Sequence, residues 1–173
     1  MNNPEKTIKT FSSYPLRYVL LSNALSLSIY ALGAVIIAPV GWWAVGLYLL
    51  LCLGLEVNVL ARSCVDCAYY GKTCAFGKGR VCGLFFNRGD PARFAAREIS
   101  WTALIPDFMV FLIPAVVGVV LLVMDFVWWR AALIGLLLAV SFAGNAAVRS
   151  SFACKYCKQR ETGCPAEKLF SKK

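Results

Sequence analysis

The chain has 173 residues, of which 60% are hydrophobic, and its mean hydropathy is +0.67, well above the ~45–50% apolar usage of soluble domains. It contains no histidine, which excludes b-type haem ligation, histidine-dependent nucleophilic catalysis and every mixed Cys/His zinc site. A net charge of +9 is compatible with nucleic acid or with anionic lipid, and the placement of the charges decides between them.

Residues 1–15 are polar, carry Lys6 and Lys9, and read as a short tail on a membrane surface. The first apolar run covers residues 18–38. At ~1.5 Å per residue it is long enough for the ~30 Å hydrocarbon core. Ala31-Leu32-Gly33 has the small-residue character of a signal-peptide cleavage site. The run exceeds the usual ~7–15-residue signal core and continues past that site, so a membrane span is the expectation. Pro39-Val40-Gly41 makes an uncharged turn, and the second run spans residues 42–60. A loop this short forces an antiparallel helical hairpin. Residues 64–105 form the longest polar connection, in which Asp90-Pro91 reads as a helix start with Asp at the N-cap. The stretch after it is expected along the interface, with Phe94, Trp101 and Ile105 facing inward. The third run covers residues 108–124 and is expected to kink at Pro114. Asp125 and Trp128-Trp129-Arg130 form the turn, residues 131–148 the fourth run, and Lys168, Lys172 and Lys173 a basic tail.

The two halves repeat each other. Each has a long helix, a turn ending in Trp-Trp (42–43 and 128–129), a second helix, an Asn four residues before Arg-Ser (Asn58 and Asn145), and then C-x2-C-x6-C. Cys64, Cys67 and Cys74 recur as Cys154, Cys157 and Cys164, each pair separated by ninety positions. This pattern predicts a duplicated two-helix unit, with one repeat and its connection in residues 1–105 and the other in 106–173. Two crossings per unit leave both copies in one orientation, related by a pseudo-two-fold axis along the membrane normal. The fold class expected is all-α: a polytopic membrane protein of four transmembrane helices with a cysteine-rich region at one end.

Of the 18 Lys and Arg residues, only Arg130 falls on the side opposite the termini and cysteine segments. The positive-inside rule then places the termini and both cysteine triplets in the cytoplasm of a cell whose inner membrane holds the chain. The charge is accounted for by topology and lipid head groups, with no nucleic acid required.

Cytosolic thiols stay reduced, so clustered cysteines there favour metal binding or redox chemistry over structural disulfides. A C-x2-C turn lets two thiolates grip one ion, and a tetrahedral zinc takes its remaining ligands from a second such element. The doubled C-x2-C-x6-C resembles the fungal binuclear zinc-cluster proteins, in which six cysteines hold two zinc ions about a local pseudo-dyad. The resemblance implies that Cys64 and Cys154 bridge the ions while Cys67, Cys74, Cys157 and Cys164 are terminal ligands. Here two membrane spans replace the family's short linker, so the resemblance extends to the chemistry and DNA binding is not implied. Cys82 is an alternate ligand, since Cys64, Cys67, Cys74 and Cys82 would make a self-contained four-thiolate site. An iron–sulfur cluster, redox dithiols and transient carriage of a soft metal are the other occupants the thiols allow.

Four intramembrane polar candidates remain. Cys52 is expected to pack, and Glu56, with Asn58 and Asn145 at similar depth, is either functional or close enough to the surface to pair with Arg62 or reach water. The second reading of Glu56 is preferred. Lys78 and Arg80, in Gly77-Lys78-Gly79-Arg80, read as a basic loop at lipid head groups or an anion. Gly71-Lys72-Thr73 ends like a phosphate-binding loop, but Asp66 stands where its leading glycine is needed. Asp107 is expected near a helix N-terminus. With no acid/base pair, activated nucleophile or cofactor fingerprint, no enzyme is indicated. The expectation is a structural or interaction subunit of a membrane complex, partnered by other membrane subunits or by itself. A redox subunit and a soft-metal transporter are the alternatives.

Overall fold

The computed structural model describes residues 10–97 and 101–165. Lys6, Lys9 and the basic tail at Lys168, Lys172 and Lys173 lie outside the described residues, as does the Trp101 side chain. Regular structure among the described residues is helical, apart from an isolated bridge between Phe11 and Cys157. Among the described residues four helices are long and apolar enough to cross a membrane: Leu16–Val40, Trp42–Cys64, Leu104–Met124 and Trp128–Ala153.

The first span is α1 (Leu16–Ile37) closed by a 3-10 turn, Ala38–Val40. Gly41 then reverses the chain with φ of +135°, a backbone region in which an L side chain is strained. The second span is α2 (Trp42–Val59), prolonged by a π-helical turn, Leu60–Cys64. In the polar connection, α3 (Lys78–Phe85) is followed by α4 (Pro91–Ala96), where the Asp90 carboxylate accepts the Ala92 N–H at 2.9 Å as the expected N-cap. Next comes α5 (Trp101–Met124), then α6 (Trp128–Ala139), a π turn at Val140–Gly144, α7 (Asn145–Val148) and a second π turn at Arg149–Ala153. The described chain closes with α8 (Gln159–Thr162).

Two sequence expectations change here. The third helix starts at Trp101, seven residues before residue 108, with Pro106 and Pro114 both inside it. A proline in the opening turns removes only one ladder bond, so it does not set the boundary. Asp107 therefore lies in the helix's second turn. Ile105 is 48% exposed and Phe94 half-buried, so Ile105 does not face inward: it belongs to the opening turns of α5, whose outward side it occupies.

Helices α1 and α5 pack at the centre, and α2 and α6 each touch both of them. Small residues permit the approach. A Cβ on Gly33 would lie 2.2 Å from the Tyr48 hydroxyl, and one on Gly118 under 3 Å from Ile36 and Ile134. Ile36 and Leu137 are fully buried at this seam. Leu20, Leu50, Leu53 and Val120 point outward, as expected of surfaces meant for lipid. Tyr48 has a further task. Pro114 cannot donate to the carbonyl of Val110 one turn back, and the Tyr48 hydroxyl donates to that oxygen at 2.9 Å.

The exposed Trp pairs open α2 and α6 at the end away from the cysteines, where amphipathic rings suit a membrane interface. There Arg130 donates to the carbonyls of Leu121 and Asp125, both at 2.8 Å, and the Leu121 oxygen also accepts the Asp125 N–H at 3.0 Å, which ties the turn to the end of α5.

Candidate metal centre

Each cysteine segment begins where a membrane helix ends in a π turn. Cys64 closes the turn that ends α2, and Cys154 directly follows the turn that ends the fourth span. The two C-x2-C elements then fold alike. The N–H of Cys67 donates to the Cys64 carbonyl and that of Tyr70 to Cys67 (3.3 and 3.0 Å). The N–H of Cys157 likewise donates to Cys154, and that of Arg160 to Cys157 (3.3 and 3.2 Å). The third cysteine of the first segment sits in a turn whose Gly79 N–H donates to the Cys74 sulfur at 3.4 Å. A Cβ on Gly79 would lie 2.2 Å from the Tyr69 carbonyl, so only glycine lets α3 pack this closely on the segment.

The two segments are joined by a reciprocal exchange. Tyr69 and Gln159 each stand two residues after the second cysteine of their triplet. The Tyr69 hydroxyl oxygen accepts the Lys158 N–H at 2.9 Å, and the Gln159 amide oxygen accepts the Ala68 N–H at 2.8 Å. Each side chain thus satisfies the backbone position next to its own counterpart, the arrangement of an isologous contact. The Cys67 thiol also faces the Gln159 amide oxygen at 3.7 Å.

Residues 10–15 run between these segments, a packing that their polarity did not suggest. The Phe11 N–H donates to Tyr156 (3.0 Å), the Tyr14 N–H to Thr73 (2.9 Å) and the Thr10 hydroxyl to Glu161 (2.7 Å). The Tyr69 hydroxyl donates to the Phe11 carbonyl at 2.6 Å and the Tyr14 hydroxyl to the Ala153 carbonyl at 2.5 Å. Phe11 also packs edge-on or tilted against Tyr14, Tyr18 and Tyr156. Aromatic rings and unpaired backbone groups outweigh the polarity of the strip, because both segments offer carbonyls that need donors.

Cys64, Cys67, Cys74, Cys154, Cys157 and Cys164 line one cavity of about 650 Å³. None of the eight cysteines is in a disulfide. Burial pushes the Cys67 and Cys157 thiols up, Cys157 to about 11, with neighbouring cysteines adding to the rise and backbone N–H groups opposing it. Burial likewise raises Tyr69 to about 12, against the Lys158 N–H that lowers it, and raises Tyr14. A cation that takes these thiols must displace their protons. Among the described residues no group of three or more cysteine or carboxylate side chains is arranged so as to hold a metal ion. The donor set, six thiols without histidine, has the chemistry of a zinc or soft-metal site.

The other candidates separate clearly. Cys82 is fully buried on α3, where its thiol faces the Leu60 carbonyl at 3.5 Å and does not line the shared cavity. Cys52 is buried among Ile37, Val45 and Tyr48 as a packing residue. Glu56 has an ion pair, but with Lys78 (2.5 Å) and not Arg62, and it also accepts the Tyr30 hydroxyl at 2.5 Å. The connection folds back over the helix ends and brings Lys78 inward, so Lys78 is engaged within the chain while Arg80 stays exposed. Asn145 lines the cavity and donates to the Ser141 carbonyl at 3.0 Å, whereas Asn58 is exposed on the outside of α2. Asp66 is 5% exposed and paired with Arg97 at 3.0 Å. Arg97 also donates to the Arg62 carbonyl at 2.7 Å, so Asp66 anchors the connection to the end of α2.

Sequence reasoning missed Tyr69, Gln159 and residues 10–15. The only available signal was the shared offset, since Tyr69 and Gln159 are also ninety positions apart. An all-helical chain with four membrane-capable helices and a thiol-lined cavity is the class of protein these observations define. The chain matches no protein-family model, no curated protein and no solved structure.

Proposed function

We propose that the two repeated hairpins share one thiolate metal site, and that its role is to hold the second and fourth spans in register within a structural or interaction subunit of a membrane complex. The observation that carries this reading is the convergence of six cysteines, from segments ninety positions apart, on a single cavity. The reciprocal contacts of Tyr69 and Gln159 support it, because they are what a duplicated unit folded about a two-fold axis produces. In lipid, burial of apolar surface does not drive helices together, so fixing their ends with ions is a physically effective device.

Cys64, Cys67, Cys74, Cys154, Cys157 and Cys164 are the ligands in this reading, and the ions are two zincs. When bound, zinc supplies no redox chemistry and contributes folding free energy directly. The site faces the cytoplasm of an inner-membrane protein, on the evidence of the basic residues. The transporter reading gains nothing from Cys52, which packs against apolar neighbours away from the shared cavity.

Elemental analysis of purified protein tests the proposal. About two zinc ions per chain are expected, falling by at least one in a Cys67→Ser, Cys157→Ser double variant. Brown protein with visible absorption and bound iron would replace zinc by an iron–sulfur cluster. Fully folded protein free of metal after purification without chelators would end the metal reading altogether.

A further inference from the structure

A second, smaller opening lies between α1, α2 and the start of α3, with a volume of about 350 Å³. The charged side chains lining it are Glu56 and Lys78, one anion and one cation, and they form an ion pair. Each remains 27% exposed, so both can take a further partner from outside the chain. Tyr30 donates to one Glu56 oxygen and Lys78 meets the other, but a carboxylate has about four lone-pair sites and an ammonium three donors. Asn23 adds an acceptor to the same lining. Its amide nitrogen is spent on the Val19 and Phe76 carbonyls at 2.8 and 3.3 Å, which leaves the amide oxygen for another donor. The surroundings are apolar. Leu27 and Val81 line the crevice and are exposed, and α3 continues with Leu84 and Phe85, both exposed. Glu56 lies about two helical turns before Cys64, where the second span ends. Within a bilayer, a charged pair at that depth is costly against hydrocarbon alone, and a polar partner supplied by the lipid relieves the cost.

We propose that this crevice binds the head group of a phospholipid of the phosphatidylethanolamine class, from the leaflet that meets the cysteine end. The lipid ammonium donates to the Glu56 carboxylate and the Asn23 amide oxygen, and the lipid phosphate accepts from Lys78. The acyl chains leave over Leu27 and Val81. Charge and donor count select the head group. One anion beside one cation matches a zwitterion, whereas an anionic lipid sets its phosphate beside Glu56 with no ammonium to offset it. A choline head group carries the same charges, but its quaternary nitrogen has no N–H to donate. The volume of about 350 Å³ is at the small end of the range for small-molecule sites, with room for a head group and not for the chains. The proposal is independent of what the cysteines hold, because neither Glu56 nor Lys78 is a metal ligand in that reading.

The test is native mass spectrometry of the detergent-solubilised full chain, titrated with dioleoyl-phosphatidylethanolamine, its N-methyl and N,N-dimethyl derivatives, dioleoyl-phosphatidylcholine and dioleoyl-phosphatidylglycerol. Metal content is measured on the same samples. Affinity is expected to fall along the methyl series, by about 2- to 10-fold from ethanolamine to choline. Glu56→Gln keeps the shape and removes the charge, and should bring the ethanolamine lipid down to the choline level. Lys78→Ala should weaken both zwitterionic lipids alike, since the phosphate is common to them. If Glu56→Gln does not fold, the methyl series on the unaltered protein decides alone. Soluble glycerophosphoethanolamine separates the two sources of this head group: weak competition supports a lipid, and competition as strong as the lipid's own binding overturns it. Equal affinity for ethanolamine and choline lipids, preference for phosphatidylglycerol, or a full ethanolamine preference in Glu56→Gln also overturns the proposal. Metal content that is unchanged in a protein without lipid preference leaves the metal reading standing.

Discussion

Tyr69 and Gln159 carry the junction between the cysteine segments, and each does so by satisfying one backbone N–H on the other segment. Tyr69→Phe leaves the Lys158 N–H and the Phe11 carbonyl without their partner, and Gln159→Leu leaves the Ala68 N–H without one. Each is expected to cost about 1–3 kcal/mol, the usual penalty for a buried polar group stripped of its bond. Since both act on one interface, the double variant should lose less than the sum of the singles. Thermal unfolding in detergent measures all three, and strict additivity would mean that the two contacts are not one junction. Asp66 is legible in the same terms. Its place in the sequence looks like a broken phosphate loop, but burial and the Arg97 pair make it an anchor.

Among the helices, α5 shows how a proline is accommodated in the middle of a span. Pro114 frees the Val110 carbonyl, and α2 answers with the Tyr48 hydroxyl. Tyr48→Phe is expected to cost about 1 kcal/mol, the scale of interhelical hydrogen bonds in membranes. In a Pro114→Ala background the restored helix N–H takes that carbonyl, so the same substitution should cost close to nothing. A double-mutant cycle on unfolding midpoints reads the difference, and an undiminished cost would show that the carbonyl is not what Tyr48 holds. Pro114 was visible in the sequence as a kink signal. Its partner was not, because nothing in the spacing of residues 48 and 110 connects them.

For the whole molecule, the proposed orientation rests on the basic residues at one end of the bundle and the Trp pairs at the other. A membrane-impermeant maleimide added to intact cells should leave the exposed Cys154 unlabelled, and should label it after permeabilisation in the presence of chelator. Labelling in intact cells would invert the topology and move the thiols out of the reducing compartment that favours metal. Helices α1 and α5 form the centre and α2 and α6 the flanks, so the spans that lead into the cysteines meet chiefly through the segments beyond them. On the metal reading proposed above, replacing a cysteine of the thiol region is therefore expected to have the largest effect on assembly.

The four spans, the short turns, the Asp90 cap and the repeated cysteine spacing were all readable from the chain, because hydropathy and local periodicity depend on neighbours in sequence. Residues 10–15 between the two cysteine segments, Lys78 paired with Glu56, Cys82 buried against the Leu60 carbonyl outside the shared cavity and the orphan hydroxyl of Ser141 were decided only in three dimensions. Each depends on which carbonyl, carboxylate or empty volume another part of the chain happens to leave open, and that is settled by packing between residues far apart in sequence.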